Sequence, residues 1–202
     1  MRVPASIALA AAFVVGCGDR PGGPISAPSY DAGAMAAAAL SQYDKNGNGS
    51  IDGAELDAVP SLKFALAVID TNKDKAVSAD ELKARFEAYK AAGVGAIGVS
   101  CDVKLNGKPL VGAVVTFVPE ECMKGSVKGG TGTTRDDGST PIAAEGLPGM
   151  PCGLFKITVS KIEAGGSEQI PARYNAKTIL GREVFADPRG GSPSIELNLT
   201  SP

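Results

Sequence analysis

The spacing of the apolar positions along this 202-residue chain changes near Gly93. Before Gly93 the apolar residues recur at every third or fourth position, which is typical of amphipathic helices. After Gly93 they alternate with polar residues, which is typical of strands that bury one face. The pattern therefore predicts an α+β protein of two domains, in which an all-α part precedes a part built of antiparallel strands.

Three runs of helical spacing between residues 32 and 92 supply the predicted core of the all-α part. The runs are Met35, Ala39 and Tyr43 with Leu40 beside them, then Leu62, Leu66 and Ile69, then Leu82, Phe86 and Tyr89. Pro60 is expected to open a helix at its first position, where no N–H is needed. The helix that ends before Pro60 is expected to be about one turn long.

Two twelve-residue stretches interrupt the helical pattern: loop one, residues 44–55 (DKNGNGSIDGAE), and loop two, residues 70–81 (DTNKDKAVSADE). Both carry oxygen-bearing side chains at positions 1, 3, 5, 9 and 12 and an aliphatic residue at position 8. An EF-hand loop takes its calcium ligands from positions 1, 3, 5, 7, 9 and 12 and has glycine at position 6. Both stretches resemble EF-hand loops, so Ile51 and Val77 at position 8 are expected to pair in a short ladder.

Two Ca²⁺ sites are predicted, because a full oxygen cage suits Ca²⁺ better than Mg²⁺, which keeps several of its waters. The predicted ligands are Asp44, Asn46, Asn48, the Ser50 carbonyl, Asp52 and Glu55 in loop one, and Asp70, Asn72, Asp74, the Ala76 carbonyl, Ser78 and Glu81 in loop two. Position 6 is Gly49 in loop one but Lys75 in loop two. The alternative is that these Asp, Asn and Gly residues only form turns, which they favour on their own.

Alternating segments after Gly93 predict strands that share one buried face. The predicted inward positions are Val99, Cys101, Val103 and Leu105, then Phe155, Ile157 and Val159, then Ile195, Leu197 and Leu199. Asn106-Gly107 predicts a tight turn before a second strand over residues 111–118, and Asp136-Asp137-Gly138 predicts another turn. A single β-sandwich over residues 96–202 fits this pattern.

Four segments of this region are similar to carboxypeptidase regulatory-like, or transthyretin-like, sandwich domains. They are VSCDVKLNGKPLVGAVVTFVP (99–119), GTTRDDGST (132–140), PCGLFKITVSK (151–161) and IPARYNAKT (170–178). The resemblance implies a transthyretin-like or Ig-like Greek key that is commonly a non-catalytic appendage. Similar domains recur in bacterial envelope lipoproteins, some of which also carry EF-hands. The transthyretin-like hydrolases depend on histidines, which this chain lacks.

The first residues predict export and anchoring. Residues 1–16 combine Arg2 with an apolar run that is too short to span a bilayer, as in a signal peptide. The run ends in Val-Val-Gly-Cys, which resembles a bacterial lipobox and implies cleavage before Cys17 and lipid modification of that cysteine. An ordinary cleaved signal peptide with an incidental cysteine is the alternative. Residues 17–31 are rich in Gly, Pro and Ser and predict a flexible tether after the lipidated cysteine.

The net charge and the counts of histidine and cysteine exclude some functions and limit the possible disulfides. A net charge of −2 argues against a nucleic-acid partner, and the absence of histidine excludes Ser-His-Asp and Cys-His catalysis. Apart from Cys17, three cysteines remain, and they allow three different pairs. Cys101 is expected to be a buried free thiol, and Cys122 and Cys152, in loops at strand ends, are the predicted disulfide.

The sequence predicts a non-enzymatic, calcium-binding lipoprotein of the cell envelope. Calcium is expected to stabilise the helical module of residues 32–92, because so small a module often needs a metal. The sandwich is expected to serve binding, adhesion or surface architecture. Its expected partners are the membrane, through the lipid anchor, and an envelope protein or polysaccharide ligand. The alternative is a periplasmic calcium sensor or buffer that acts on a protein partner.

Overall fold

A computed structural model of the protein describes residues 25–186 and 194–201. The predicted signal peptide, Cys17 and the first part of the predicted tether lie outside the described residues. The end of the tether segment is packed rather than extended into solvent. Tyr30 is buried, its ring centroid lies 5.9 Å from that of Tyr89, and its hydroxyl donates a hydrogen bond of 2.8 Å to the Cys152 carbonyl.

Four α-helices form the first part of the described chain. They are α1 (Ala32–Tyr43), α2 (Gly53–Asp57), α3 (Pro60–Ile69) and α4 (Ala79–Ala92). The short α2 and the start of α3 at Pro60 are as predicted. Local sequence sets the ends of α4: the Ser78 side chain accepts from the Glu81 N–H at its start, and Gly93 ends it with φ 61°.

Ten strands of the described chain lie in two sheets. They are β1 (Ser50–Asp52), β2 (Ala76–Ser78), β3 (Val99–Leu105), β4 (Lys108–Pro109), β5 (Val114–Pro119), β6 (Gly130–Thr133), β7 (Ser139–Ala144), β8 (Gly153–Ser160), β9 (Leu180–Val184) and β10 (Ser194–Leu199). The small sheet is β1–β2, and the large sheet has the order β10-β3-β7-β6-β5-β8-β9, with β4 paired to β3. The described chain is therefore α+β with one large, mostly antiparallel sheet.

β7 joins the two halves of the large sheet, because different parts of this strand pair with different neighbours. Its first residues pair with β3 and its last two pair with β6. Alternate residues of the strands then bury on the inner side, as the period of two predicts. The buried positions include Val99, Cys101, Val103, Phe155, Ile157, Val159, Ile195, Leu197 and Leu199.

Two details of the predicted sheet were wrong. β10 runs parallel to β3, with Ile195 opposite Cys101 and Leu197 opposite Val103, whereas antiparallel strands were expected. Alternation specifies which face is buried but not the direction of a strand, so both directions satisfy it. The strand expected over residues 111–118 begins at Val114, because Gly112 turns the chain with φ 70° before it.

Candidate metal centre

The first residue of each candidate loop organises the backbone that follows it. In loop one the Asp44 carboxylate accepts hydrogen bonds from the N–H groups of Gly47, Asn48 and Gly49 at 2.7, 3.2 and 2.8 Å. In loop two the Asp70 carboxylate accepts from the N–H groups at the same three positions, 4, 5 and 6, at 2.6, 3.2 and 2.9 Å. The two loops therefore wrap around their first carboxylate in the same way.

The glutamate at position 12 closes each loop from the other end. Glu55 accepts from the N–H groups at positions 2, 3 and 9 of loop one at 2.7, 3.0 and 3.3 Å. Glu81 accepts from the N–H groups at positions 2, 3 and 9 of loop two at 2.9, 3.5 and 2.9 Å. Burial raises the pKa of Glu81, but the bonds from Ser78, Thr71 and Asn72 outweigh it, so the pKa lies below its usual value. Glu81 is therefore held in its charged form.

The middle of each loop follows the same scheme. The side-chain oxygen at position 3 accepts from the N–H at position 5, and the oxygen at position 5 accepts from the N–H at position 7, at 2.9 to 3.0 Å in both loops. β1 and β2 then join the loops as an antiparallel ladder in which Ile51 faces Val77, as predicted, and both are fully buried. The twelve predicted ligand positions thus lie in two equivalent loops that are fixed side by side.

The loops differ in how easily their backbone adopts this shape. Positions 4 and 6 have positive φ in both loops, 72° and 87° at Gly47 and Gly49 but 64° and 67° at Lys73 and Lys75. A residue with a Cβ loses about 1–2 kcal/mol in the left-handed region, whereas glycine does not. The sequence pointed to Lys75 alone; the structure adds Lys73, so loop two carries two such residues.

The side chains at the predicted ligand positions are oxygen donors, the kind of ligand that hard cations prefer. At the predicted ligand positions each loop has three carboxylates, Asp44, Asp52 and Glu55 in loop one and Asp70, Asp74 and Glu81 in loop two. Within residues 25–186 and 194–201, the ion pairs of the structure include none of these six carboxylates. In the same residues no cluster of three or more His, Cys, Asp or Glu side chains is arranged to hold a metal. The carboxylates of each loop face its own N–H groups, and the remaining predicted ligands are amides, a hydroxyl and backbone carbonyls.

Comparison of the chain with protein-family models, with curated protein sequences and with solved structures found no match.

Two buried carboxylates of the β part, Glu120 and Glu183, hold the helices that flank the loops. No local sequence signal identifies either of them. Glu120, which is 1% exposed, accepts hydrogen bonds from the hydroxyls of Tyr43 at 3.1 Å and Ser61 at 2.7 Å. Lys156 lies 3.6 Å from the same carboxylate. Tyr43 immediately precedes loop one, so Glu120 joins that loop to the sheet.

Glu183 on β9 is the second of these carboxylates. It accepts two hydrogen bonds from the Arg85 guanidinium, at 2.5 and 2.7 Å, and one from the Tyr89 hydroxyl. The side chains of Arg85 and Glu183 are only 15% and 8% exposed. Burial raises the pKa of Tyr89, and the neighbouring Glu183 charge raises it further, so Tyr89 stays a hydrogen-bond donor.

The predicted disulfide between Cys122 and Cys152 is not formed, and both cysteines are free and buried, as is Cys101. Cys122 lies beside Glu120 in a 3₁₀ turn, Glu121–Met123, whereas Cys152 faces Ala186 and Glu183. The two thiols therefore belong to different parts of the core, which spacing along the chain could not reveal. Burial raises the pKa of Cys101 and of Cys122 to about 12.

No helix within residues 25–186 and 194–201 is long and apolar enough to cross a membrane.

Proposed function

We propose that this chain is a non-enzymatic, calcium-binding lipoprotein of the cell envelope. In this proposal residues 32–92 are an EF-hand pair, and residues 96–202 are a transthyretin-like β-sandwich that serves binding, adhesion or surface architecture. The observation that carries the proposal is the repetition of one hydrogen-bond scheme, position by position, in two twelve-residue loops joined by the β1–β2 ladder.

The charge of the loops supports Ca²⁺ as the ion. Each loop has three carboxylates among its predicted ligands, and the ion pairs of the described residues leave all six without a cationic side chain. Negative charges within one twelve-residue loop repel one another, and a bound cation relieves that repulsion. The expected ligands are the twelve positions named from the sequence, which include the Ser50 and Ala76 carbonyls.

A structural role for calcium is supported by the way the helices are held. Tyr43 on α1 and Arg85 on α4 are tied to buried carboxylates of the β part, and these ties oppose a large opening of the helical pair. Calcium at about ten times its dissociation constant adds roughly 1.4 kcal/mol per site. That amount is a large share of the stability of about 5 kcal/mol or less that so small a module can reach alone.

Calcium titration by calorimetry, paired with thermal unfolding in calcium and in chelator, tests this function. We expect two binding events with dissociation constants of about 10⁻⁵ to 10⁻³ M, typical of extracellular modules, and a higher melting temperature in calcium. Glu55→Gln should remove one event and Glu81→Gln the other, because each loses the carboxylate at position 12. Absence of binding in the unaltered protein would refute the proposal. Calcium-dependent binding of an apolar dye would favour the sensor instead.

Loop one is expected to bind calcium more tightly than loop two, because loop two keeps lysines in the left-handed region at positions 4 and 6. Lys75→Gly should tighten loop two by about ten-fold, since roughly 1–2 kcal/mol of strain is removed. Lys75→Ala is the control, because it removes the lysine charge and keeps the Cβ. Equal tightening by Ala and Gly would assign the effect to charge and contradict the role of the backbone. If Glu81→Gln removes the tighter binding event and Glu55→Gln does not, loop two is the tighter site and the expected order is wrong.

The proposal that the protein is not an enzyme rests on the state of its possible nucleophiles. All three cysteines of the described residues are buried, and burial raises the pKa of each, so none is a thiolate near neutral pH. Histidine, the usual general base, is absent from the sequence. The well-placed loop carboxylates are assigned to calcium.

The proposal of a lipid anchor rests on the sequence of residues 1–17. Two or more acyl chains on Cys17 would hold the protein stably at a membrane, where a single chain binds only marginally. We expect Cys17→Ser to abolish labelling with radioactive palmitate and to move the protein into the aqueous phase on detergent partition. Cys101→Ser serves as the matched control, since that cysteine lies in the core. Membrane retention of the Cys17 variant equal to that of the unaltered protein would refute the anchor.

A further inference from the structure

One face of α4 connects loop two to the large sheet. Glu81 stands in the first turn of α4, and Arg85 and Tyr89 follow at intervals of four residues. Residues four apart lie one above the other on a helix, so these three side chains form a row. At the N-terminal end of α4 the row closes loop two, where the Glu81 carboxylate accepts hydrogen bonds from the N–H groups of Thr71 and Ser78.

The other two members of the row, Arg85 and Tyr89, are held by Glu183 on β9. The Glu183 carboxylate accepts hydrogen bonds from Nε and Nη2 of the Arg85 guanidinium and from the Tyr89 hydroxyl. The Arg85 guanidinium also lies 4.4 Å from the centre of the Phe185 ring, beyond the end of β9. A buried, bidentate pair has one well-defined geometry, so it determines how far α4 can rotate or slide.

Loop one has no equivalent row. Its closing residue, Glu55, belongs to α2, which has five residues and ends at Asp57. Loop one is tied to the sheet at its opposite end, where Tyr43 donates to Glu120. The Glu183 contact is therefore linked to the closing carboxylate of one loop and not of the other.

We propose that Glu183 is a positioning residue for the calcium site of loop two. By holding Arg85 and Tyr89, Glu183 keeps α4, and with it Glu81, at the place where the carboxylate closes the loop. A preorganised ligand binds its ion more tightly, because less order has to be created on binding. The inference rests on the proposed calcium function. Linkage makes it reciprocal: calcium in loop two strengthens the hold of α4 on β9.

The test measures each site alone in the full chain. Glu55→Gln leaves loop two as the intact site, and Glu81→Gln leaves loop one. Adding Glu183→Gln should raise the calcium dissociation constant of loop two by about five-fold or more. That of loop one should stay within about two-fold, because loop one is not connected to Glu183 through its closing carboxylate. Asp57→Asn, which removes an exposed pair with Lys63, is the control and should change neither site.

Tyr89→Phe is the milder second variant and decides the question if Glu183→Gln does not fold. It removes one donor to Glu183 and leaves the Arg85 pair, so loop two should weaken by about three-fold or more and loop one should not. The reverse effect, that of calcium on the contact between α4 and β9, is measured by hydrogen exchange. Calcium should slow exchange of the β9 amides in the Glu55→Gln protein, and this protection should shrink when Tyr89→Phe is added.

The outcomes separate this inference from the function on which it rests. If the unaltered protein binds no calcium, the proposed function fails and the inference fails with it. If calcium binds and Tyr89→Phe weakens both loops equally, or neither, the positioning role is overturned while the calcium function stands. Selective weakening of loop two together with the calcium-dependent protection of β9 supports the inference, because a purely structural contact would not distinguish the loops.

Discussion

Gly181→Ala is expected to destabilise the protein by about 1–3 kcal/mol, because a methyl group at residue 181 has no space. Its Cβ would lie 2.2 Å from the Ser61 amide nitrogen and 2.3 Å from the Pro60 carbonyl carbon. Both are backbone atoms at the start of α3, so the strain cannot be relieved by rotating a side chain. Either β9 or α3 has to move, and the Ser61 hydroxyl that is bonded to Glu120 would move with α3.

Chemical denaturation and thermal unfolding measure this effect. In a protein of this size the melting temperature is expected to fall by about 2–4 °C for each kcal/mol of lost stability. Gly165→Ala is the matched control. Gly165 is exposed, no heavy atom of residues 25–186 or 194–201 is recorded within 4 Å of its added Cβ, and its φ lies outside the left-handed region. That substitution should be neutral or stabilise by up to about 1 kcal/mol. Equal stability of the two variants would show that α3 does not rest on β9 as described.

Arg85→Met is expected to cost about 3–5 kcal/mol, since it leaves the Glu183 carboxylate buried without its cation. Methionine keeps much of the length of the arginine stem, so the loss of charge and hydrogen bonds dominates over the loss of packing. The Tyr89 hydroxyl remains as a donor to Glu183, but a single neutral donor does not compensate a buried charge. Denaturant unfolding at neutral pH gives the difference directly.

Two controls make the Arg85 result specific. Lys63→Met breaks the pair with Asp57, whose side chains are 60% and 65% exposed, and should change stability by about 1 kcal/mol or less. The double variant Arg85→Met with Glu183→Met removes both charges and should recover most of the loss, because apolar groups replace a buried pair at little cost. A double variant that is no more stable than Arg85→Met would contradict the assignment of the cost to an unpaired carboxylate.

The helix ends, the two loops and the buried faces of the strands were predictable from the sequence because they depend on nearby residues. Pro60 begins α3, Gly93 ends α4, and Asn106-Gly107 turns the chain with φ values of 52° and 76°. The loop hydrogen bonds join residues within the same twelve positions, so the spacing of the side chains was enough to identify the two loops. Alternation likewise identified the inward side chains of β3, β8 and β10.

The contacts between the helical part and the sheet were decided by the tertiary structure alone. Arg85 and Glu183 lie 98 residues apart, and Ser61 and Glu120 lie 59 apart. No periodicity links positions so distant, so the two carboxylates that hold the helices could not be recognised in advance. The same reason explains why Cys122 and Cys152 were wrongly paired and why Tyr30 was assigned to a flexible tether.

The parallel direction of β10 has a related origin. Ile195, Leu197 and Leu199 bury equally well in either direction, so their pattern contains no information about the neighbour they join. β3 pairs with β7 on one side and with β10 on the other, so the neighbour of β10 depends on how the rest of the sheet is arranged. The sequence by itself therefore determined the local elements and the candidate ligands of this protein. The packed core determined how those elements meet, because only there do groups far apart in the chain compete for the same space and the same hydrogen bonds.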